Sequence, residues 1–142
     1  MPDAAKIRFT TSLEGLRPSD LKGFYDGWPH PPSLEERLRV LRGSTHAVLA
    51  VERETGRVVG FVNALSDGGL CAFIPLLEVL PEFRGRGIGR ELVRRMLKTL
   101  DGHYAVDLVC DEDLADFYEP LGFVRGRAML RRDRARRASA GD

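Results

Sequence analysis

Residues 77–100 constrain the fold of this chain more than any other stretch, because they read as a strand, a turn and a helix in immediate succession. Residues 77–80 are mostly apolar, and Pro81 has no amide hydrogen to give to a ladder, so a strand should end there. Next come Arg84, Gly85, Arg86, Gly87, Ile88 and Gly89, with glycines at alternate positions. Without a Cβ, such a turn lets backbone amides face inward and approach a ligand closely. Behind it, Ile88, Leu92, Val93, Met96, Leu97 and Leu100 recur at helical spacing, with Arg90, Glu91, Arg94, Arg95 and Lys98 on the other side. A helix N-terminus placed behind a ring of free amides is suited to a phosphate or pyrophosphate.

Spacing separates the nucleotide-binding alternatives. A Walker loop needs four residues between its glycines and then Gly-Lys-Ser/Thr, which this chain lacks. A dinucleotide fingerprint counted from Gly85 and Gly87 puts Arg90 where its third glycine belongs. What remains is R-x-x-G-x-G after a V-x-P strand end, and it resembles the acetyl-coenzyme A signature of the GNAT N-acetyltransferase superfamily. A second segment carries the same resemblance: Phe117, Tyr118, Glu119, Pro120, Leu121, Gly122 and Phe123 are similar to the F/L-Y-E-x-L-G-F run that follows the fifth strand in that family.

The resemblance implies an α/β chain with a twisted mixed sheet of six or seven strands and helices on both faces. It implies acetyl-coenzyme A as co-substrate, with no metal. The pyrophosphate falls to Arg84, Gly85, Arg86, Gly87, Ile88 and Gly89, and Val79 supplies backbone bonds to the pantetheine arm in a gap between the fourth and fifth strands. Tyr118 is the implied general acid for the departing thiolate. Asp111 stands where the family often has an asparagine, seven residues before the tyrosine. The resemblance makes Asp111 a candidate cofactor contact; its charge could instead give a cleft mouth that favours a cationic amine, and Asp111 or Asp113 could cap the next helix.

Glu78 is the candidate base, because a carboxylate in an apolar strand is desolvated and its pKa rises; a structural carboxylate paired with an arginine is the alternative. Strict alternation puts Glu78 on the face of Ile74 and Leu76, and a bulge at Pro75 would change that. Three readings of function follow. The first is an N-acetyltransferase acting on a small-molecule or peptide amine. The others are a non-catalytic acyl-coenzyme A binder, and an acyltransferase with another donor or an oxygen acceptor. A tyrosine acid favours the enzyme. A homodimer is left open.

The chain has 142 residues, enough for one core, and its hydrophobic and charged fractions are those of an ordinary globular domain. Residues 1–130 are expected to form the domain. Residues 131–142 carry five arginines against Asp133 and Asp142 and no apolar stripe, so they read as a solvated tail. Without interleaved aromatics that tail argues weakly for nucleic acid. No run reaches the ~20 apolar residues of a membrane helix and no signal-peptide core is visible, so a cytoplasmic protein is expected. Cys71 and Cys110 fall roughly 25 Å apart on neighbouring parallel strands, too far to bridge, and are expected to be small core residues. His30, His46 and His103 lack metal-ligand spacing; His30 lies in a proline-rich loop that could line an acceptor pocket.

The other elements are short. Strands are expected at 6–11, 46–51, 57–65, 70–80, 104–110 and 123–130, the last interrupted at Gly126. Helices are expected from Pro18 through Tyr25, from Ser33 with Glu36 at the capping-box position to Gly43, and over 112–119. Glu54, Thr55 and Gly56 form a hairpin turn.

Overall fold

The computed structural model describes residues 6–135; the ends of the chain, including residues 136–142 of the basic tail, lie outside the described residues. Six strands form one mixed sheet: β1 (Ile7–Thr10), β2 (His46–Glu52), β3 (Val58–Ser66), β4 (Cys71–Ile74), β5 (Leu77–Val79) and β6 (Ala105–Leu108). Their order is β1-β2-β3-β4-β6, and β5 also pairs with β3. All pairings are antiparallel except that of β4 with β6. The helices are α1 (Leu34–Gly43), α2 (Ile88–Thr99) and the single turn α3 (Ala115–Tyr118). This is the mixed α/β architecture that the motifs imply.

Strand β2 and most of β3 are buried along consecutive residues rather than at alternate ones, the pattern of a sheet covered on both faces. Helix α2 covers one face through Ile88, Leu92, Val93 and Met96. Gly60 of β3 makes this close approach fit, since a Cβ there would lie 3.1 Å from Leu92 Cδ1 and 3.2 Å from the Glu78 carbonyl. The opposite face is covered by a 3₁₀ turn (Pro18–Leu21), the loop after it and α1. Phe24 and Tyr25 pack there on Phe61, at ring distances of 5.1 and 6.3 Å. The expected helix through Tyr25 is shorter than the sequence suggests: regular structure stops at Leu21, and Gly23 and Tyr25 both take positive φ. Helix α1 starts as expected, with the Ser33 side chain accepting from the Glu36 amide at 3.2 Å.

Two expectations are corrected. No strand forms over 123–130, and among the described residues 124–130 make no backbone hydrogen bond. Ion pairs of Arg125 with Asp116 and Glu119 hold the start of this segment beside α3, and β6 is left without a hydrogen-bonded partner on its outer edge among the described residues. Cys71 and Cys110 are free, as expected, but both are exposed rather than core.

Candidate active site

The expected bulge at Pro75 is the feature that builds the site. Pro75 and Leu76 break the fourth predicted strand into β4 and β5. Strand β4 then runs with β6, whereas β5 pairs with β3 alone, so a gap opens between β5 and the chain beyond Leu108. Asn63, only 1% exposed, holds the break open. Its Oδ1 accepts from the Leu76 amide at 3.0 Å, and its own amide nitrogen donates to Leu76 O at 3.2 Å. Its side-chain nitrogen donates to Ser44 Oγ at 2.9 Å. A proline cannot donate to a ladder, and a side-chain carbonyl takes over for the neighbouring amide that the ladder can no longer satisfy.

The ladder on β3 fixes which way β5 faces. Leu80 N donates to Val59 O at 2.9 Å and Asn63 N to Leu76 O at 3.2 Å. In an antiparallel pair this register turns the Glu78 amide and carbonyl toward β3 and those of Val79 away from it, into the gap. The Val79 carbonyl accepts from Arg84 Nε at 3.1 Å. Its amide has no acceptor among the described residues. Val79, opposite Gly60, lies on the α2 face, and Glu78 lies on the other.

Between β5 and α2 the chain makes a 3₁₀ turn (Pro81–Phe83) and then the glycine loop. Gly85 and Gly87 sit at φ 78° and 83°, where a side chain would be strained. Gly87 is the N-cap of α2, and no side chain caps that end. Among the described residues the amides of 85–89 donate to nothing, so the start of α2 is a set of unsatisfied donors at the positive end of a helix. Gly89 marks where three elements meet: a Cβ there would lie 3.6 Å from Phe117 Cζ and 3.7 Å from Val79 Cγ2. Ile88 is buried in the core, so only its amide is available to a ligand. The guanidinium of Arg84 turns toward the strand end, with Nη1 3.8 Å from Asp26. Arg86 stacks on Phe83 at 4.9 Å and donates to Glu82 O. These two arginines therefore brace the loop.

Tyr118 ends α3. Its ring meets Phe117 and Phe123 edge-on at 4.9 and 5.7 Å and is 9% exposed. Burial, with a smaller contribution from Cys110 nearby, pushes its pKa up to about 12. The hydroxyl has no hydrogen-bond partner among the described residues, yet it is not sealed from solvent as the Tyr25 hydroxyl is. A phenol so placed keeps its proton at neutral pH and has it available. Asp111 is exposed and stands at the N-cap position of a 3₁₀ turn (Glu112–Leu114). Neither Asp111 nor Asp113 caps that turn through its side chain; the Asp111 carbonyl accepts from Leu114 N at 2.9 Å instead.

Glu78 is half-buried, and burial raises its pKa. Its Oε1 accepts from the Tyr25 amide at 2.6 Å, which opposes part of that rise. So its partner is a backbone amide, not the arginine of the structural alternative. Arg37 supports the same loop: it donates to Leu21 O and Pro32 O and lies 5.0 Å over the Tyr25 ring. Trp28 packs edge-on against Tyr25 at 5.0 Å and stays partly exposed, beside exposed His30. Sequence reasoning missed Asn63 and Arg37. A polar residue inside the apolar run of β3 was the available signal for the first, and nothing local marks the second. Among the described residues no group of three histidine, cysteine or acidic side chains could hold a metal ion.

The amides at 85–89, the free Val79 amide and the gap beside it fit a ligand with a phosphorylated head and a narrow, amide-bearing arm. The family model described as acetyltransferase (GNAT) family matches residues 13–123. A solved structure of a Deinococcus radiodurans protein assigned as an acetyltransferase is 50% identical, with a TM-score of 0.89 over 94% of this chain and 93% of that one. A GNAT family acetyltransferase of Streptococcus pneumoniae is 25% identical, with a TM-score of 0.71 over 89% of this chain and 99% of its own. The chloroplastic GCN5-related N-acetyltransferase 1 of Arabidopsis thaliana is 31% identical over 137 residues, 90% of this chain and 68% of that protein's length. The matched span holds the glycine loop, the broken strand and Tyr118, and this chain therefore belongs to the GNAT acetyltransferase family, whose members acetylate with acetyl-coenzyme A.

Proposed function

We propose that the chain moves an acetyl group directly from acetyl-coenzyme A to a primary amine of a small-molecule or peptide acceptor, with Tyr118 as the general acid. The observation that carries this reading is the Tyr118 hydroxyl, which is held protonated, is unpartnered among the described residues and is not sealed from solvent. A protein that only bound the cofactor would have no use for a proton donor there.

Acetyl-coenzyme A supplies an activated thioester. The amides of 85–89 receive its pyrophosphate, and the Val79 amide, facing the gap, orients the pantetheine arm. The amine nitrogen attacks the thioester carbon, so an N–C bond forms and the C–S bond breaks. The Tyr118 hydroxyl gives its proton to the leaving sulfur, and solvent restores it. The proton lost by the amine passes to the free oxygen of Glu78, directly or through water, while its other oxygen keeps the Tyr25 amide. Burial of Glu78 favours this by making the carboxylate a better proton acceptor near neutral pH. Trp28 and the loop around it form the acceptor wall, and the acidic run Asp111, Glu112 and Asp113 favours a cationic acceptor.

Screening amines, polyamines, amino acids and peptides for free-thiol release identifies the acceptor. With one in hand, Tyr118→Phe keeps the ring packing and deletes the proton. General acid catalysis is typically worth ~10²–10⁴-fold, so turnover should fall by that much while coenzyme A affinity holds. A variant within about threefold of the parent, far inside that range, would leave proton delivery to water and Tyr118 to packing.

A further inference from the structure

Ser66 closes β3 and His103 follows α2, and the fold sets the two side by side, with Ser66 Oγ 2.6 Å from His103 Nε2. The other ring nitrogen, Nδ1, lies 2.9 Å from the Leu100 carbonyl. A carbonyl can only accept, so Nδ1 carries the ring proton. The neutral imidazole then presents Nε2 as an acceptor, and the bond to Ser66 has one direction: the serine hydroxyl donates. The same oxygen accepts from the Gly68 amide at 2.9 Å, which leaves it one free lone pair. Both side chains are half-buried.

A carboxylate stands beside them. Asp67 Oδ1 accepts from the amides of Gly69, Leu70 and Cys71 at 2.9, 2.8 and 3.1 Å. These bonds, with a smaller contribution from His103, hold the Asp67 carboxyl below its ordinary range. A fixed negative charge near the ring favours an imidazolium formed in passing. A hydroxyl in hydrogen-bond reach of a base that a third group orients is the arrangement that activates a serine. Leu70 and Tyr104, 58% and 88% exposed, flank the pair and offer apolar surface to an acyl or aryl group. The site is separate from the gap described above. Strand β4 runs from Cys71 to Ile74 between the two, three rises of ~3.3 Å or roughly 10 Å.

We propose that Ser66 and His103 form a second catalytic pair, which hydrolyses small activated esters through an acyl-Ser66 intermediate. Ser66 Oγ attacks the ester carbon as its proton passes to His103 Nε2. A bond from Oγ to the acyl carbon forms, the ester C–O bond breaks, and the proton goes on to the leaving alcohol. Water then attacks the acyl carbon with the same ring nitrogen as base. The bond to Oγ breaks, the carboxylic acid departs and Ser66 recovers its proton. The turn itself sets the substrate class. Its amides are already taken, Gly68 by Ser66 and those of Gly69, Leu70 and Cys71 by Asp67, so they build no oxyanion hole. A donor of that kind is typically worth ~10²–10³-fold, and without it the pair is restricted to esters with a good leaving group, such as a phenol. No step uses coenzyme A, so the inference does not depend on the reaction assigned above.

The full chain, without coenzyme A, is incubated with p-nitrophenyl acetate and separately with an alkyl fluorophosphonate, and peptide mass spectrometry locates the adduct. The parent is expected to release phenol and to carry the phosphonyl group on Ser66. Ser66→Ala should lose both. His103→Asn keeps a nitrogen that can donate to Leu100 O, and so the tie to α2, but offers Ser66 no ring nitrogen. Loss of a general base is typically worth ~10²–10⁴-fold, and both reactions should slow by that much. Asp67→Asn keeps the oxygen that the three amides need and removes the charge, so it should slow them less and guards against a folding defect at His103. Circular dichroism at the parent's level shows that each variant is folded. A parent that takes no adduct on Ser66 overturns the proposal. So does labelling at the parent's rate in both His103→Asn and Asp67→Asn, since the bond would then only tie the turn to α2.

Discussion

Asn63→Ala tests whether one buried side chain holds the cleft open. The substitution removes the acceptor of the Leu76 amide and the donor to Ser44 Oγ. The Leu76 amide, in a part-buried position, then loses the one acceptor it has among the described residues. An orphaned donor costs about 1–3 kcal/mol, and the lost bond to Ser44 about 0.5–1.5 more. The sum, about 1.5–4.5 kcal/mol, corresponds to a melting temperature lower by about 5–15 °C for a domain of this size. Chemical denaturation measures the first quantity and calorimetry the second.

Stability alone would not separate a cleft-opening role from ordinary core packing, so coenzyme A affinity is the second readout. Leu41→Ala, at a buried position in α1 away from the gap, should destabilise by a similar amount, about 2–5 kcal/mol. It should leave affinity at the parent's value, whereas Asn63→Ala should weaken it at least tenfold, because β5 can then slide toward a regular ladder and turn Val79 out of the gap. Asn63→Asp sharpens the argument. Its first oxygen can still accept from Leu76, but the Ser44 proton is already given to Val40 O at 2.7 Å. The second oxygen therefore meets a lone pair. Protonating that oxygen would let it donate to Ser44 Oγ, so the variant should regain stability in acid. The reasoning fails if Asn63→Ala lies within about 0.5 kcal/mol of the parent, well under the cost of an orphaned donor, or if it and Leu41→Ala affect affinity alike.

Gly87→Asp puts a carboxylate at the N-cap of α2, where the pyrophosphate should lie, and titration calorimetry should show affinity down by at least ~1.4 kcal/mol, a factor of ten. Gly87→Asn, which tolerates the same positive φ without charge, should lose much less; equal losses would point to strain rather than phosphate repulsion. Glu78→Gln keeps an oxygen for the Tyr25 amide and abolishes the buried charge. Because burial raises the Glu78 pKa in the folded state, its ionisation opposes folding above that value, and the penalty disappears as pH falls to the ordinary glutamate range. The glutamine variant should therefore match the parent's stability in acid and equal or exceed it at neutral pH, while turnover falls. A neutral-pH melting temperature well below the parent's would show that the charge itself holds the loop.

What the sequence makes legible are the features that one short window encodes completely. Helix α2 is read from apolar spacing, α1 from Ser33 and Glu36, and the loop from its glycines, of which the structure places Gly85 and Gly87 at positive φ. Even the bulge is legible, since proline inside an apolar strand leaves few other outcomes. Asn63 is not, because its meaning lies in an amide 13 positions ahead that lacks a ladder partner. Arg37 is opaque for the same reason, since both carbonyls it binds belong to turns that the sequence does not fix.

The unformed strand at 123–130 shows a different limit. Its residues favour extended backbone, yet a strand is a relation between two edges and not a property of the residues of one. Propensity supplies one edge; the fold must bring the other within hydrogen-bonding distance. Here the ion pairs of Arg125 and the packing of Phe123 fix where the segment starts, and that start lies across a groove from β6. The same contacts hold Tyr118 in place, because its ring is packed between Phe117 and Phe123. The packing that holds Tyr118 and the contacts that fix the start of this segment thus meet at one residue, Phe123.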